Sequence, residues 1–319
     1  MSTLRIFEAF AGVGTQSMAL KRLGVDYEVV GIAEIDKFAI QSYMAIHGDT
    51  KNYGDISKID PTELPDMDLF TYSFPCQDLS ISGKQRGMGE GTRSGLLYEC
   101  EKVISMKKPK YLLLENVKNL VGKKFKHDFD KWLEWLESQG YSNYWQVLNA
   151  KDYGVPQNRE RVFVVSVLRE EAYEFPKLFP LEIKLKDILE DEVDEKYYLH
   201  QEYTPQPYSQ ESDLQMTGKL AIKGLDCIKR VYSPEGCSPA LTTMQGGHRH
   251  PKIITDRGPR RLTPLECWRL MGIDDEDFYK AKDTGVSDSQ LYKQAGNAIV
   301  VDVLVGIFRK LFNTTEEAN

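Results

Sequence analysis

Apolar residues in the first 170 or so positions come in short runs, separated by segments with a helical period. Leu4–Phe10 (LRIFEAF), Glu28–Ala33 (EVVGIA), Asp68–Phe74 (DLFTYSF) and Tyr111–Glu115 (YLLLE) read as strands. Gln16–Leu23 reads as a short helix ended by Gly24. Asp128–Gln139 carries Phe129, Trp132, Leu133 and Leu136 on one helical face, with Gly140 as its stop. Strands alternating with helices predict an α/β fold with a doubly wound, mostly parallel sheet. Tyr144–Leu148 and Arg161–Leu168 have only a loop between them, which predicts an antiparallel hairpin at one edge.

The rhythm stops near residue 170, and charge takes over as the informative signal. Leu181–Gln215 is irregular and acidic, with three lysines against ten carboxylates, a net of −7. Lys219–Gly272 reverses the sign, with ten basic residues against four acids, a net of +6. A local basic stretch in a chain of net charge −7 fits a phosphate-backbone contact, although for that stretch alone a solvated charged face is the better reading. Thr263–Gly272 reads as a capped helix with a purely structural role, because Thr263 and Glu266 form a capping box around Pro264. Ala298–Phe312 reads as a final apolar helix.

With 319 residues, 41% hydrophobic and 28% charged, the chain can bury one large core or two ordinary ones. That excludes disorder, collagen-like repeats and a disulfide scaffold for its bulk. No apolar run is expected to reach membrane-spanning length; the longest, Ala298–Leu304, is interrupted by Asp302. The first residues lack a signal-peptide layout, and the five cysteines form no CxxC pair, so a reducing cytoplasm is the expected setting.

Candidate chemistry clusters at the predicted strand ends. Phe10-Ala11-Gly12-Val13-Gly14-Thr15 follows the first strand, where glycines allow a ligand close to the backbone and amides face it at a helix start. Glu34 ends the second strand, where an acid meets ribose hydroxyls, and Asp55 follows in Gly54-Asp55-Ile56. These features suit an adenosine-type cofactor without choosing between a dinucleotide and S-adenosylmethionine. Cys76, in Phe74-Pro75-Cys76-Gln77, sits at the mouth of the third strand, and Glu115 ends the fourth. Neighbouring strand ends share one crevice, so a thiol and a carboxyl would meet there as a covalent-catalysis pair. Gln157-Asn158-Arg159-Glu160-Arg161 places two arginines at alternate positions, and Asn297 precedes the last helix as a possible N-cap.

In this order, the turn from Phe10 to Gly14, Glu34-Ile35-Asp36, Gly54-Asp55-Ile56, Phe74-Pro75-Cys76-Gln77, Glu115-Asn116-Val117, Gln157-Asn158-Arg159-Glu160-Arg161, Arg261-Leu262-Thr263-Pro264-Leu265-Glu266-Cys267 and Gln294-Ala295-Gly296-Asn297 resemble the DNA cytosine-5 methyltransferase family. Only about 170–258 is unmatched, where the family has its target-recognition region. The resemblance implies a Rossmann-like catalytic domain of 1–175 with 288–319, a smaller irregular target-recognition domain of 176–272 and a hinge of 273–287. It implies S-adenosyl-L-methionine as cofactor, S-adenosyl-L-homocysteine as product, and no metal. Cys76 would attack C6 of a cytosine, Glu115 would hold N3, Arg161 would contact O2 and Arg159 would order the cysteine loop. Phe10, Ala11, Gly12, Gly14, Glu34, Ile35, Asp55, Ile56, Pro75, Leu96, Asn297 and Ala298 would form the cofactor pocket. Gln77, Ser82, Lys84, Arg230, Tyr232, Thr242, Gln245, His248 and Arg249 would meet DNA. Two departures stand out: Ile35 replaces a frequent aromatic residue between the two acids, and Thr15 replaces a frequent glycine.

The implied chemistry needs these residue types. Cytosine C5 is a poor nucleophile until a thiolate adds at C6, and a free thiol near pKa 8.5 is only slightly ionised at neutral pH. A duplex hides C6, so the base must leave the stack, and the Ser80–Gly91 loop is a candidate to close over it. The implied partners are double-stranded DNA and a restriction endonuclease acting on the same short site, with the chain a monomer in a bacterial cytoplasm. The competing readings are a cytosine-5 methyltransferase of transfer RNA, whose Cys-Phe-Thr triplet is absent here, and a catalytically inactive DNA-binding relative.

Overall fold

A computed structural model of the chain describes residues 3–74, 94–169 and 172–314. The chain divides into two compact units, one of Met1–Leu148, Glu160–Lys177 and Leu304–Asn319, the other of Asn149–Arg159 and Leu178–Val303.

The first unit is built on a six-stranded sheet of β1 (Leu4–Ala9), β2 (Tyr27–Ala33), β3 (Leu69–Tyr72), β4 (Tyr111–Val117), β5 (Tyr141–Asn149) and β7 (Glu160–Leu168); β6 (Gln157–Asn158) belongs to the second unit. The strand order is β2-β1-β3-β4-β7-β5. β1 runs parallel to β2 and β3, β3 runs parallel to β4, β7 runs antiparallel to β4, and β5 pairs with β7 at the edge where the sequence predicts a hairpin. Every residue of β3 is buried, which is why its apolar run lacks alternation. Strand order reverses between β1 and β3, so the carboxyl ends of these two strands border a topological switch point, where ligands bind in such sheets.

The helices of this unit include α1 (Thr15–Arg22), α2 (Lys37–His47), α3 (Leu97–Lys107) and α4 (Lys126–Ser138). In α4, Phe129, Trp132 and Leu136 are buried in a core with Phe70, Tyr72, Leu112 and Leu114, each contributing about 1.5–3 kcal/mol of transfer free energy. α2 is capped by Asp36, whose carboxylate accepts from the amides of Phe38 and Ala39.

The second unit holds a five-stranded sheet, ordered β13-β12-β10-β9-β8, in the region expected to be irregular. Its strands are β8 (Tyr203–Pro205), β9 (Met216–Leu220), β10 (Arg230–Tyr232), β12 (Lys252–Thr255) and β13 (Gly258–Arg261), while β11 (Ser238–Pro239) pairs with β6. Strands of three to five residues are too short to print a two-residue period in the sequence. The helices are α5 (Asp226–Lys229), α6 (Pro264–Arg269), α7 (Asp275–Asp283), α8 (Asp288–Asn297) and α9 (Val301–Leu311), whose later residues return to the first unit.

The capping box at α6 is present: Thr263 Oγ1 accepts from the Glu266 amide at 3.1 Å, and Glu266 accepts from the Thr263 amide at 2.8 Å. Glu266 also takes both terminal nitrogens of the buried Arg260, at 2.8 and 2.6 Å, so its role is structural. Contrary to the expectation from single apolar runs, Asp288–Leu311 is long and apolar enough by composition to pass as a membrane span, but 72% of its apolar window is buried inside the protein.

Candidate active site and nucleic-acid interface

The turn after β1 begins one residue earlier than the apolar run suggests, because Phe10 adopts a left-handed backbone (φ 57°). Gly12 and Gly14 follow with φ of 57° and 77°. The two glycines serve different ends. A Cβ on Gly14 would lie 2.3 Å from His47 Nε2 and 2.6 Å from the Tyr43 ring, so α2 can approach only a glycine. A Cβ on Gly12 would meet nothing within 4 Å, so that glycine faces open space. His47 Nε2 lies 2.9 Å from the Val13 carbonyl and fastens the turn from the α2 side.

Glu34, at the end of β2, ties its strand to this turn. One carboxylate oxygen accepts from Gly12 N at 2.9 Å, and the other accepts from the amides of Ile35 and Asp36 at 2.8 Å each. A carboxylate has about four acceptor positions, so three amides leave capacity for a ligand hydroxyl. Ile35 beside it is 73% exposed. Asn52 holds the backbone of Glu34 through both N and O and also accepts from Gly54 N. Asp55 accepts from the amide and hydroxyl of Ser57, which hold its carboxyl below its ordinary pKa, and the Ile56 side chain is buried. Ala11 is buried, while Phe10 and Leu96 lie half-buried against the core. In the second unit, Asn297 is exposed and ends α8, so it does not cap α9; Ala298 beside it is buried.

Beneath the turn sits a residue that sequence inspection passed over. Glu8 of β1 is fully buried and accepts from the Ser17 amide and hydroxyl at 3.0 and 2.8 Å and from the Tyr43 hydroxyl at 2.8 Å. It therefore clamps α1 and α2 to β1. Burial raises its pKa to about 6, against the opposing effect of these hydrogen bonds.

At the end of β4, Glu115 Oε1 and Arg161 Nε are 3.2 Å apart. The strand register explains the pair: Glu115 lies opposite Phe163 and Val117 opposite Arg161, so the two charged residues are diagonal neighbours on one face. Arg161 is not engaged with the Glu160 side chain, which pairs with Lys118 at 2.8 Å. Asn116, which no site prediction included, is buried and donates from Nδ2 to the Phe74 carbonyl at 3.1 Å. Its neighbourhood to Glu115 in the Glu-Asn-Val block was the available signal. Pro75, Cys76, Gln77, Ser82, Lys84 and most of the Ser80–Gly91 loop's neighbourhood, including that loop itself, lie outside the described residues. The four described cysteines are free thiols. Burial pushes the thiols of Cys100, Cys237 and Cys267 up, away from thiolate chemistry.

In the second unit, Arg159 is buried and donates to the carbonyls of Leu241 (2.8 Å), Gly296 (3.1 Å) and Ala298 (3.1 Å). Gln157 supports the same segment, accepting from Leu241 N at 2.9 Å and donating to Leu270 O at 2.7 Å. The basic segment 219–272 is less cationic at its surface than its composition suggests. Lys219 and Arg230 pair with Asp226, Arg257 with Glu195, Arg260 with Glu266 and Arg269 with Asp275. Tyr232 is 6% exposed within its sheet. Thr242, Gln245, His248 and Arg249 are exposed.

Residues 4–313 match the family model described as C-5 cytosine-specific DNA methylase. The chain is 40% identical to the type II methyltransferase M2.ScrFI of Lactococcus lactis subsp. cremoris, over 98% of this chain and 99% of that one. It is 36% identical to the orphan methyltransferase M.SPBetaI of Bacillus phage SPbeta, over 98% of each. Among solved structures it resembles the S. pombe Dnmt2 methyltransferase, with a TM-score of 0.75 at 20% identity over 97% of this chain and 98% of that one, a likeness of fold. A family match across nearly the entire length, with full-length relatives at this identity, makes the chain a member of the C-5 cytosine-specific DNA methylase family and its activity that of a DNA cytosine-5 methyltransferase.

Proposed function

We propose that the protein transfers the methyl group of S-adenosyl-L-methionine to C5 of a cytosine flipped out of a short duplex DNA target, through a transient bond between Cys76 and C6. The observation that carries this reading is the meeting of two strand ends. Asn116 holds the last described residue before Pro75-Cys76, and Glu115 beside it faces Arg161.

The cofactor's place is the β1 turn. Gly12 leaves room against the backbone, Glu34 retains acceptor capacity for ribose hydroxyls, and exposed Ile35 offers an apolar surface to adenine. Asp55 would meet the adenine amino group, with Phe10, Leu96, Pro75 and Asn297 as further contacts. When bound, the cofactor supplies an electrophilic methyl group.

The residues of the chain do the rest. The Cys76 thiolate bonds to C6, and the ring's electron pair shifts toward C5 and N3. Glu115 shares a proton with N3 as charge builds there, and Arg161 stabilises the charge on O2 while holding Glu115 in place. After C5 has accepted the methyl group, its proton leaves to a base, the C5–C6 double bond re-forms and the sulfur departs. Thr242, Gln245, His248, Arg249 and Arg230 are proposed to face the DNA, together with Gln77, Ser82 and Lys84. The setting proposed is a restriction-modification or phage system in a bacterial cytoplasm, with the protein acting as a monomer and any companion endonuclease cutting the same site.

Labelled cofactor incubated with the protein and either duplex DNA or transfer RNA tests the reading. Label is expected in DNA and absent with Cys76→Ser, and duplex containing 5-fluorocytosine is expected to trap a covalent complex with the wild type only. Label confined to transfer RNA, or undiminished labelling by Cys76→Ser, would overturn it.

A further inference from the structure

The exposed stretch Gln245–Arg249 hangs from an unusual piece of backbone. Met244 (φ 50°), Gly246 (71°), Gly247 (61°) and His248 (58°) are all left-handed, and two of them are not glycine. L residues do not hold such a run unaided, so surrounding structure must impose it.

Three anchors do so. The Met244 side chain is buried with its sulfur 3.9 Å from Cys267 Sγ, and its amide donates to Thr242 Oγ1 at 3.2 Å. The His250 ring meets Tyr292 edge-on at 4.4 Å. Between them Lys252, only 2% exposed, directs its ammonium to the carbonyls of Ile228 (2.7 Å), His248 (2.6 Å) and His250 (3.0 Å). Three donors meet three main-chain acceptors, and among the described residues no carboxylate pairs with this cation. A buried cation without a counter-ion is costly, and a methionine would fill the space with less desolvation. What the lysine adds is a tie between the exposed loop, its own base and the end of α5.

We propose that Lys252 is a positioning residue that pre-sets the 245–249 loop for reading bases, so that target selectivity depends on it while cofactor binding does not. This rests on the DNA-methylation reading above. A loop fixed before contact loses little entropy on binding and rejects a wrong base by leaving its own polar groups unpaired. A loosened loop can re-pack around the wrong base.

The test compares the full-length wild type with Lys252→Met. Each is incubated with S-adenosylmethionine and a mixed pool of genomic duplex, and the modified cytosines are mapped by bisulfite sequencing. S-adenosylhomocysteine binding, measured in parallel, reports the fold. Lys252→Met is expected to bind S-adenosylhomocysteine like the wild type, while its preference for the wild-type target over single-base variants falls about tenfold. An unchanged preference, or a uniform loss at all sites, would overturn the proposal. If Lys252→Met does not fold, Lys252→Gln, which keeps two donors, takes its place with the same expectation. Failure of both to fold would also overturn the proposal, because the lysine would then be a general determinant of the fold. A wild type that marks no duplex site at all would instead overturn the reading on which the proposal rests.

Discussion

Asn116 Nδ2 donates to the carbonyl of Phe74 at 3.1 Å, joining the end of β4 to the end of β3 by a side chain. Glu115 points to Arg161 from the neighbouring position, so one dipeptide ties β4 both to β7 and to the backbone at Phe74. Asn116→Ala removes this donor to the Phe74 carbonyl, costing on the order of 1 kcal/mol of stability. The larger effect is expected on geometry: kcat on duplex DNA falls about a hundredfold while S-adenosylhomocysteine affinity is kept. Steady-state methylation with parallel ligand binding checks this, and an unchanged kcat would refute the positioning role.

The two glycines of the β1 turn should separate fold from ligand. Gly14→Ala meets His47 and Tyr43 and requires a left-handed alanine, so a stability loss of about 2–4 kcal/mol is expected in denaturant unfolding. Gly12→Ala carries only the backbone cost, about 1–2 kcal/mol, but its methyl group enters the space assigned to the cofactor. Its signature is a weaker affinity for S-adenosylhomocysteine in a protein that still folds. Equal losses of affinity and stability in both variants would contradict the distinction.

Glu8 makes stability depend on pH with a definite sign. Its folded pKa, raised by burial to about 6 from 4.5, favours the protonated form. Below the lower value both states are protonated and its contribution is fully present. As pH rises through the window the unfolded chain releases its proton first, and about 2 kcal/mol is lost by the time the folded carboxyl ionises. Glu8→Gln removes this titration. Urea unfolding of both proteins on either side of the window should show the variant gaining on the wild type as pH rises. Parallel curves would refute the assignment.

The β-α-β rhythm was legible because the parallel strands of the first unit are short runs rich in apolar residues separated by helical segments, and α4 was legible because Phe129, Trp132 and Leu136 repeat at helical spacing. Glu115 and Arg161 were legible as motif residues, and their diagonal register brings them together. Asn116, Glu8 and Lys252 escaped because each takes its meaning from a partner distant in sequence: Phe74, Tyr43 and the Ile228 carbonyl. The pairing within the basic segment was hidden for the same reason. Charge summed along a sequence cannot show that Arg260 is spent on Glu266 or that Lys252 is buried.

The division of the chain has a consequence for how new targets can arise. The polypeptide leaves the first unit after Leu148, returns at Glu160, leaves again after Lys177 and returns at Leu304. Neither unit is a continuous length of polypeptide, so no single cut yields either of them intact. On the proposed assignment of DNA reading to the second unit, a change of sequence preference by recombination is an internal replacement that preserves all four junctions, not an exchange of one end of the gene for another.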